Sequence, residues 1–390
     1  MRNVRKCALK INRFAHGILG YEPVILPIFS TLFGIQHIEL TQFRNYNNSA
    51  FRFHERIVAI CGSNGIGKTN LLDAIHYLSF TKSYFNKPDN ISPSLTNNGF
   101  RIAGSFLLDK IAKDVAIVFR ENGKKELLVD QSNINKFSEH IGAFPLVFIA
   151  PDDTKLLTGG SEERRNYLDT LLSQWDHEYL THLIRYNKTL LERNKFLKQL
   201  QDGQLNIDLL DVYNQQLVLH GTEILNKRLH FTKELYPLIL EIFHFLSDKD
   251  EKPIISYNAS TTPSNYLSDI NKLLQRDIVL QRTSIGIHKD DIDIQMDSLP
   301  FKQTASQGQK KSMLFACKLA AFKMLQTHKG YEPILLMDDI FEKLDQFRLN
   351  RLLEWVCVKH TGQVFMTDTH ADRLEKLMKD ISLPFQIIQL

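Results

Sequence analysis

Apolar positions change their period along this chain of 390 residues. Between residue 35 and about 150 they fall in short β-branched and aromatic runs. Ile38–Leu40, Phe51–Phe53, Ile57–Ile60, Gly104–Leu108, Val115–Phe119 and Leu127–Val129 are predicted strands. Glu121-Asn122-Gly123 predicts a hairpin turn between the last two. From Ser161 to about Gln201 the period becomes helical. Glu162 and Glu163 sit in the first turn, and Leu168, Leu171, Leu172, Trp175, Tyr179 and Leu183 follow on one face. Asp202-Gly203-Gln204 breaks this helix, and a second covers Leu209 to about Leu235, interrupted at Pro237. Two antiparallel helices of that length extend roughly 40–60 Å, a short arm. Ile334–Met337 and a final run, Gln363–Met366, return the chain to strand. The expected organisation is an extension at 1–33, an N-terminal lobe at 34–150, a helical arm lobe at 151–283 and a C-terminal lobe at 284–390.

The candidate chemistry sits at the joints of this pattern. Gly62-Ser63-Asn64-Gly65-Ile66-Gly67-Lys68-Thr69 fits G-x-x-x-x-G-K-[ST], the phosphate-binding loop. Its context is right: a β-branched strand enters Gly62, and Leu71, Leu72, Ile75 and Leu78 follow at helical spacing. Glycines at 62, 65 and 67 let successive N–H groups turn towards phosphate oxygens, and the helix opening at Lys68 adds its positive end. Lys68 is expected on the β- and γ-phosphates of ATP and the Thr69 hydroxyl on Mg²⁺. Downstream, the strand Ile334–Met337 ends in Asp338-Asp339. Asp338 is expected to hold Mg²⁺ and Asp339 to orient the attacking water; its short carboxylate predicts slow hydrolysis. A pair of acids that merely caps the next helix is the plainer alternative.

Between these motifs lies Ser306-Gln307-Gly308-Gln309, about 30 residues before the acidic strand end, the layout of ABC-type ATPases. In such proteins this run faces the γ-phosphate of a nucleotide held by a second subunit, so Ser306, Gln307, Gly308 and Gln309 are expected to act in trans, in an ATP-dependent homodimer. Phe341-Glu342-Lys343-Leu344-Asp345 resembles the D-loop at that interface. Thr367, Asp368 and Thr369 stand where a γ-phosphate sensor belongs, and the sequence does not choose among them.

With these motifs in place, the chain resembles the RecF family of SMC-like ABC ATPases from about Gly34 to Leu390. The landmarks are Gln42–Tyr46, Gly62–Asn70, Phe148–Asp153, Arg164–Asp169, Gly286–Asp291 and Ser306–Gln309. Two positions depart from the family pattern, Ile287 for Pro and Lys289 for Arg, and Lys lacks the guanidinium fork. The resemblance implies a P-loop ABC-type ATPase head of class α/β, a mixed sheet with flanking helices, carrying an α-helical arm. It implies Arg44 on phosphate and Asn45 on the base side of the nucleotide, and Asp152-Asp153 in place of a Q-loop. It also implies recombinational repair: DNA bound at gaps or junctions, recombinase loading, and RecR- and RecO-like partners. SMC-type proteins insert hundreds of heptad residues between their ATPase halves, and this chain inserts a short arm.

Composition narrows these readings. Cys7, Cys61, Cys317 and Cys357 show no paired spacing, which suits a reducing cytoplasm. No uninterrupted apolar stretch of membrane-spanning length occurs. Arg2, Arg5, Lys6, Lys10 and Arg13 against Glu22 give the first 33 residues a net +4, the +4 of the whole chain. The remainder is neutral, so DNA contact must use local basic surface; Lys188, Arg193, Lys195 and Lys198 on the arm are candidates. The basic start is a poor signal peptide, and the resemblance, whose members begin close to Ile35, implies a misassigned start with the true one near Leu32. His288-Lys289-Asp290-Asp291 is read as supporting geometry, not as a metal site. A transport or metabolic ABC ATPase, or a clamp in which nucleotide only drives assembly, are the competing functions.

Overall fold

Four short apolar strands, buried on both faces, and a half-exposed edge strand form the centre of the molecule. The computed structural model describes residues 33–85, 87–91, 99–199, 207–247, 251–339 and 344–390. Within it, Gln386–Gln389, Ile57–Cys61, Val364–Asp368, Ile334–Met337 and Leu146–Ile149 lie side by side in that order, all parallel. Alternation divides their side chains between two cores. Ile57, Ala59, Leu335 and Met337 face the helical side, while Val58, Ile60, Ile334 and Leu336 face an antiparallel sheet. Register aligns the strand ends: Met337 pairs with both Ile149 and Met366, and Cys61 with Asp368. The phosphate loop, Asp338 and Thr367 therefore emerge along one carboxyl edge, where ligands bind in parallel α/β sheets.

The six-stranded antiparallel sheet runs Tyr46–Arg52, Phe33–Phe43, Phe100–Leu108, Ile111–Phe119, Lys125–Val129, Ser132–Asn133. The hairpin at Glu121-Asn122-Gly123 forms as expected, with Gly123 at φ 78°. The helix Lys68–Phe80 packs between this sheet and the parallel one. Gly104 makes room for it: a Cβ there would meet Leu78 at 2.7 Å. A third sheet, Leu299–Pro300, Asp291–Met296 and Ile254–Asn258, was not legible in the pattern. Nor was Gln386–Gln389, which follows Val364–Asp368 as the last strand in the chain and pairs with Ile57–Cys61 at the sheet edge. Parallel and antiparallel pairing in this α/β head is thus distributed among separate sheets.

The arm differs from its expected outline in two places. Ser161–Gln199 is two helices, Ser161–Trp175 and His177–Gln199, broken at Asp176, whose carboxylate accepts the Glu178 and Tyr179 N–H groups. The apolar period continues across the break, which hid it. Conversely, the next helix runs from Ile207 to Leu246 straight through Pro237. Proline removes one donor, and Leu235, Tyr236, Ile239, Ile242 and Phe243 around it are buried. This part of the helix packs against Gln307–Lys329, rooting the arm in the head. The expectations for residues 1–32, for the breaker Asp202-Gly203-Gln204 and for Phe341–Lys343 lie outside the described residues. No helix among those described is long and apolar enough to cross a membrane.

Arg193 corrects one of the surface assignments. Instead of facing solvent, its side chain is fully buried between the two long arm helices and the segment carrying Asp277 and Thr283. It pairs with Asp277 at 2.8 Å and donates to Asn214 and Thr283. Lys188, Lys195 and Lys198 are exposed. Removing one member of a buried ion pair leaves the other charge without compensation, so Arg193→Ala should lower stability by about 3–5 kcal/mol. Urea unfolding followed through the helical signal checks this; a loss below about 0.5 kcal/mol, as for a surface change, would contradict it.

Candidate functional site

Loop geometry follows from glycine. Gly65 and Gly67 have φ of 82° and 124°, in the left-handed region that side chains avoid. At Gly67 a Cβ would also lie 2.5 Å from Asn45 Nδ2 and 2.8 Å from the Tyr46 hydroxyl. Those two side chains hold the loop from outside: Asn45 donates to the Ile66 carbonyl at 2.7 Å and Tyr46 to the Gly67 carbonyl at 3.0 Å. Ser63, Asn64, Gly65 and Ile66 form an exposed crown above buried Gly62, Gly67 and Lys68. The helix Lys68–Phe80 begins without a side-chain cap and without an acid in its first turn. Its first N–H groups and positive dipole end are thus available to an anion. Lys68 arches over the loop, its Nζ donating to the Gly62 carbonyl at 2.6 Å and the Ser63 carbonyl at 3.1 Å.

Across the strand ends, the Thr69 hydroxyl donates to Asp338 at 2.8 Å, joining residues 269 positions apart. The Thr367 hydroxyl donates to the same carboxylate at 2.8 Å and accepts the Asp339 N–H at 2.8 Å. Of the three sensor candidates, Thr367 is therefore the one against Asp338. Asp368 instead accepts the His370 N–H and pairs with Arg373. Asp339 has φ 46°, a left-handed conformation that Asp tolerates better than most residues. Burial pushes the Asp338 carboxyl above its ordinary range; the Thr367 and Thr69 hydroxyls draw it down, Asp339 raises it and Lys68 lowers it. Thr69 and Asp338 are hard oxygen donors side by side, a donor set that suits Mg²⁺.

The two residues of the Arg44-Asn45 pair go to different places. Asn45 is on the loop, but the Arg44 guanidinium turns onto Asp73, with further bonds to Asn70 at 2.8 Å and Ser83 at 2.9 Å. Asp73 is fully buried in the helix, and an unpaired carboxylate there would be costly. A phosphate contact by Arg44 would be made by a guanidinium already paired with Asp73. Asp153 likewise has a definite partner: it accepts the Ala150 N–H, and Lys318 approaches it at 3.0 Å while donating to Tyr84 at 2.9 Å. Burial opposes the Lys318 charge, but Asp153 and Tyr84 hold its pKa above the ordinary range. Neither carried a sequence signal: Lys318 is a lone cation in an apolar run, and Tyr84 stands in the polar stretch 81–87.

Ser306 and Gln309 form a reciprocal capping box at the start of the helix Gln307–Lys329. Ser306 and Gln307 are exposed, and Gln309 also reaches Glu251 at 2.8 Å. Gly308 lies under the Arg348 guanidinium, which a Cβ would approach to 3.0 Å. Arg348 in turn pairs with Asp345, the cap of Gln346–Leu353, and donates to Ser312 at 2.9 Å. The run 306–309 and Asp345 thus form one braced edge. Arg164–Asp169 and Gly286–Asp291 also meet: Arg164 grips Asp291 through two bonds, and Arg228 donates to Asp169 and to the Ile287 carbonyl. Among the described residues no group of three metal-ligating side chains is found.

The RecF/RecN/SMC N-terminal domain family model matches residues 34–386. The DNA replication and repair protein RecF of Cytophaga hutchinsonii is 40% identical over 342 residues, 87% of this chain and 90% of that protein. The RecF of Flavobacterium johnsoniae is 36% identical over 91% of this chain and 99% of its own length. A solved structure of the recombination mediator protein RecF-ATP in the RecFOR pathway superposes with a TM-score of 0.81. It is 27% identical and covers 87% of this chain and 93% of that one. The Smc head domain from Pyrococcus furiosus, at TM-score 0.50 and 15% identity, covers 90% of this chain and 100% of its own and shares the fold.

A buried carboxylate raised above its ordinary pKa costs native stability when ionised, and the cost fades as pH falls through that raised value. Asp338→Asn should therefore melt higher than the unaltered protein at pH 7 without nucleotide, because the Thr69 and Thr367 hydroxyls can rotate to suit an amide. The gain should shrink as pH approaches about 4. The same variant should lose the extra thermal stability that Mg²⁺ and ATP together confer. A lower melting temperature at pH 7 without nucleotide would contradict the role given to burial.

Proposed function

The chain belongs to the RecF family of DNA replication and repair proteins, and from that premise we propose an ATP-assembled DNA-binding dimer acting as a recombination mediator. The observation carrying this reading is the bond from Thr69 to Asp338. It joins a phosphate loop with an available helix N-terminus to an acidic strand end, making one half of a nucleotide site. The other half is the edge at Ser306 and Gly308, where the capping box of Ser306 and Gln309 opens a helix, supplied by a second copy. Its 23-residue helix has no acid in the first turn, so its positive end suits the γ-phosphate of a nucleotide held opposite.

In this reading Gly62–Thr69 cradle the phosphates and Lys68 exchanges its loop carbonyls for phosphate oxygens. Thr69 and Asp338 hold Mg²⁺, which supplies charge neutralisation of the phosphates when bound. Asp339, held at its N–H by Thr367, orients water and gives weak hydrolysis that DNA stimulates. Asn45 and Tyr46 keep the loop open from outside, and Arg44 keeps Asn70 and Asp73 in place beneath it. Duplex and single-stranded DNA, RecR- and RecO-like partners and a cytoplasmic location belong to the same proposal. The buried free thiols of Cys61, Cys317 and Cys357 accord with a reducing compartment.

Composite sites can be tested by mixing. Lys68→Ala breaks the loop of its own subunit, while Ser306→Arg breaks the edge offered to the partner. Each variant alone should show no DNA-stimulated hydrolysis. An equimolar mixture should recover roughly a quarter of full activity, since half the dimers are mixed and each carries one intact site of two. A mixture as inactive as its components, or full activity of Ser306→Arg alone, would defeat the trans arrangement.

A further inference from the structure

Arg165, Arg282 and Lys289 come from three separate segments and flank one turn. Arg165 reaches it from the helix Ser161–Trp175, donating to the Asp290 carbonyl at 2.7 Å. Arg282 enters it through Thr283, whose carbonyl accepts from His288 Nε2 at 3.1 Å. Lys289 lies between, its N–H on the Gly286 carbonyl at 2.7 Å. Arg282 and Lys289 are exposed and Arg165 partly so. Among the described residues no carboxylate pairs with any of the three side chains. Three other arm cations have carboxylate partners: Lys227 with Asp176 and Glu178, Arg228 with Asp169, and Lys188 with Glu192.

The frame beneath this cluster is rigid. Tyr186 donates to His288 Nδ1 at 2.8 Å, and Asn194 accepts from Thr283 N and Oγ1. Gly286 has φ 123°, and a Cβ there would collide with the Tyr266 hydroxyl. Burial holds the His288 imidazole down at about 4, with Lys289 and Arg165 pressing the same way, so it adds no charge at neutral pH. Lys289 is itself lowered by burial and then by Arg282 and Arg165. Three like charges held on one turn, opposed only in part by the buried Asp277 that already pairs with Arg193, repel one another, and a phosphate between them relieves that cost.

We propose that Arg165, Arg282 and Lys289 form a preorganised contact for the DNA sugar-phosphate backbone, one that adds affinity without reading sequence. This deepens the proposed DNA-binding function and rests on it. It also supplies local basic surface to a chain whose net charge is only +4. Lys289 serves as a point charge, and the two arginines supply the forked donors.

Binding of a labelled duplex in the presence of Mg·ATP, measured across a salt series, tests the proposal. For the intact protein log K should fall linearly with log[salt]. The double variant Arg282→Gln with Lys289→Gln should bind more weakly, with a slope shallower by about 2, roughly 0.9 for each phosphate contact removed. ATP affinity should be unchanged, and the charge-keeping pair Arg282→Lys with Lys289→Arg should retain the slope. If the intact protein binds duplex and the Gln pair matches it in affinity and slope, the contact is refuted while the DNA-binding function stands. Loss of poly-glutamate binding with unchanged DNA binding would assign the cluster to an acidic protein and also overturn the proposal. If the intact protein binds no DNA under any nucleotide condition, both readings fail.

Discussion

The Asp338 carboxylate is buried at the end of a parallel strand, and the rest of the site is arranged to make that tolerable. Taking a carboxylate out of water demands donors close by. Thr69 supplies one from the phosphate-loop helix and Thr367 another from the neighbouring strand. Each donor therefore fixes an element: the loop cannot shift without breaking the first bond, nor the strand Val364–Asp368 without breaking the second. Thr367 passes the constraint on by holding the Asp339 N–H. One buried charge thus sets the mutual positions of the loop, two strand ends and the residue proposed to orient water.

A second set of buried charges braces the surrounding frame. Arg44 with Asp73 lies under the loop, Lys318 with Asp153 ties the helix Gln307–Lys329 to the end of the strand Leu146–Ile149, and Arg193 with Asp277 joins the helix His177–Gln199 to the helix Leu274–Leu280. Such pairs add little net stability over apolar packing, but each resists rearrangement because separation exposes two charges to an apolar interior. Arg348 does similar work at the proposed dimer edge, spanning Asp345, Ser312 and the backbone at Gly308. Because Gln307–Lys329 packs against the long helix Ile207–Leu246, a displacement of that edge and one of the arm are mechanically joined.

Much of this was legible in the chain because it rests on local rules. The phosphate loop follows from glycine spacing between a β-branched strand and an apolar helix. Val58 and Ile60 read as strand because β-branched residues suit a pleated interior. What stayed hidden depends on long-range contacts. Arg193 looks like the solvated face of a helix until Asp277, 84 residues later, meets it. Nothing near Arg44 in the sequence announces its pairing with Asp73 in the phosphate-loop helix. Pro237 reads as a helix end, yet the buried apolar residues around it hold the turn together. Thr367 could not be chosen over Thr369 without knowing which one the strand register turns towards Asp338. The strand Gln386–Gln389 is too short to show a period, and it is recognised only by its pairing with Ile57–Cys61.

The central claim is that the nucleotide is shared between two copies of the chain. Sedimentation velocity of the unaltered protein with Mg·ATP, with Mg·ADP and without nucleotide tests it most directly. The predicted result is a monomer without nucleotide and with Mg·ADP, and a dimer with Mg·ATP, because only the γ-phosphate reaches the Ser306 edge of the partner. A single sedimentation coefficient under all three conditions, at concentrations well above the ATP dissociation constant, would contradict it.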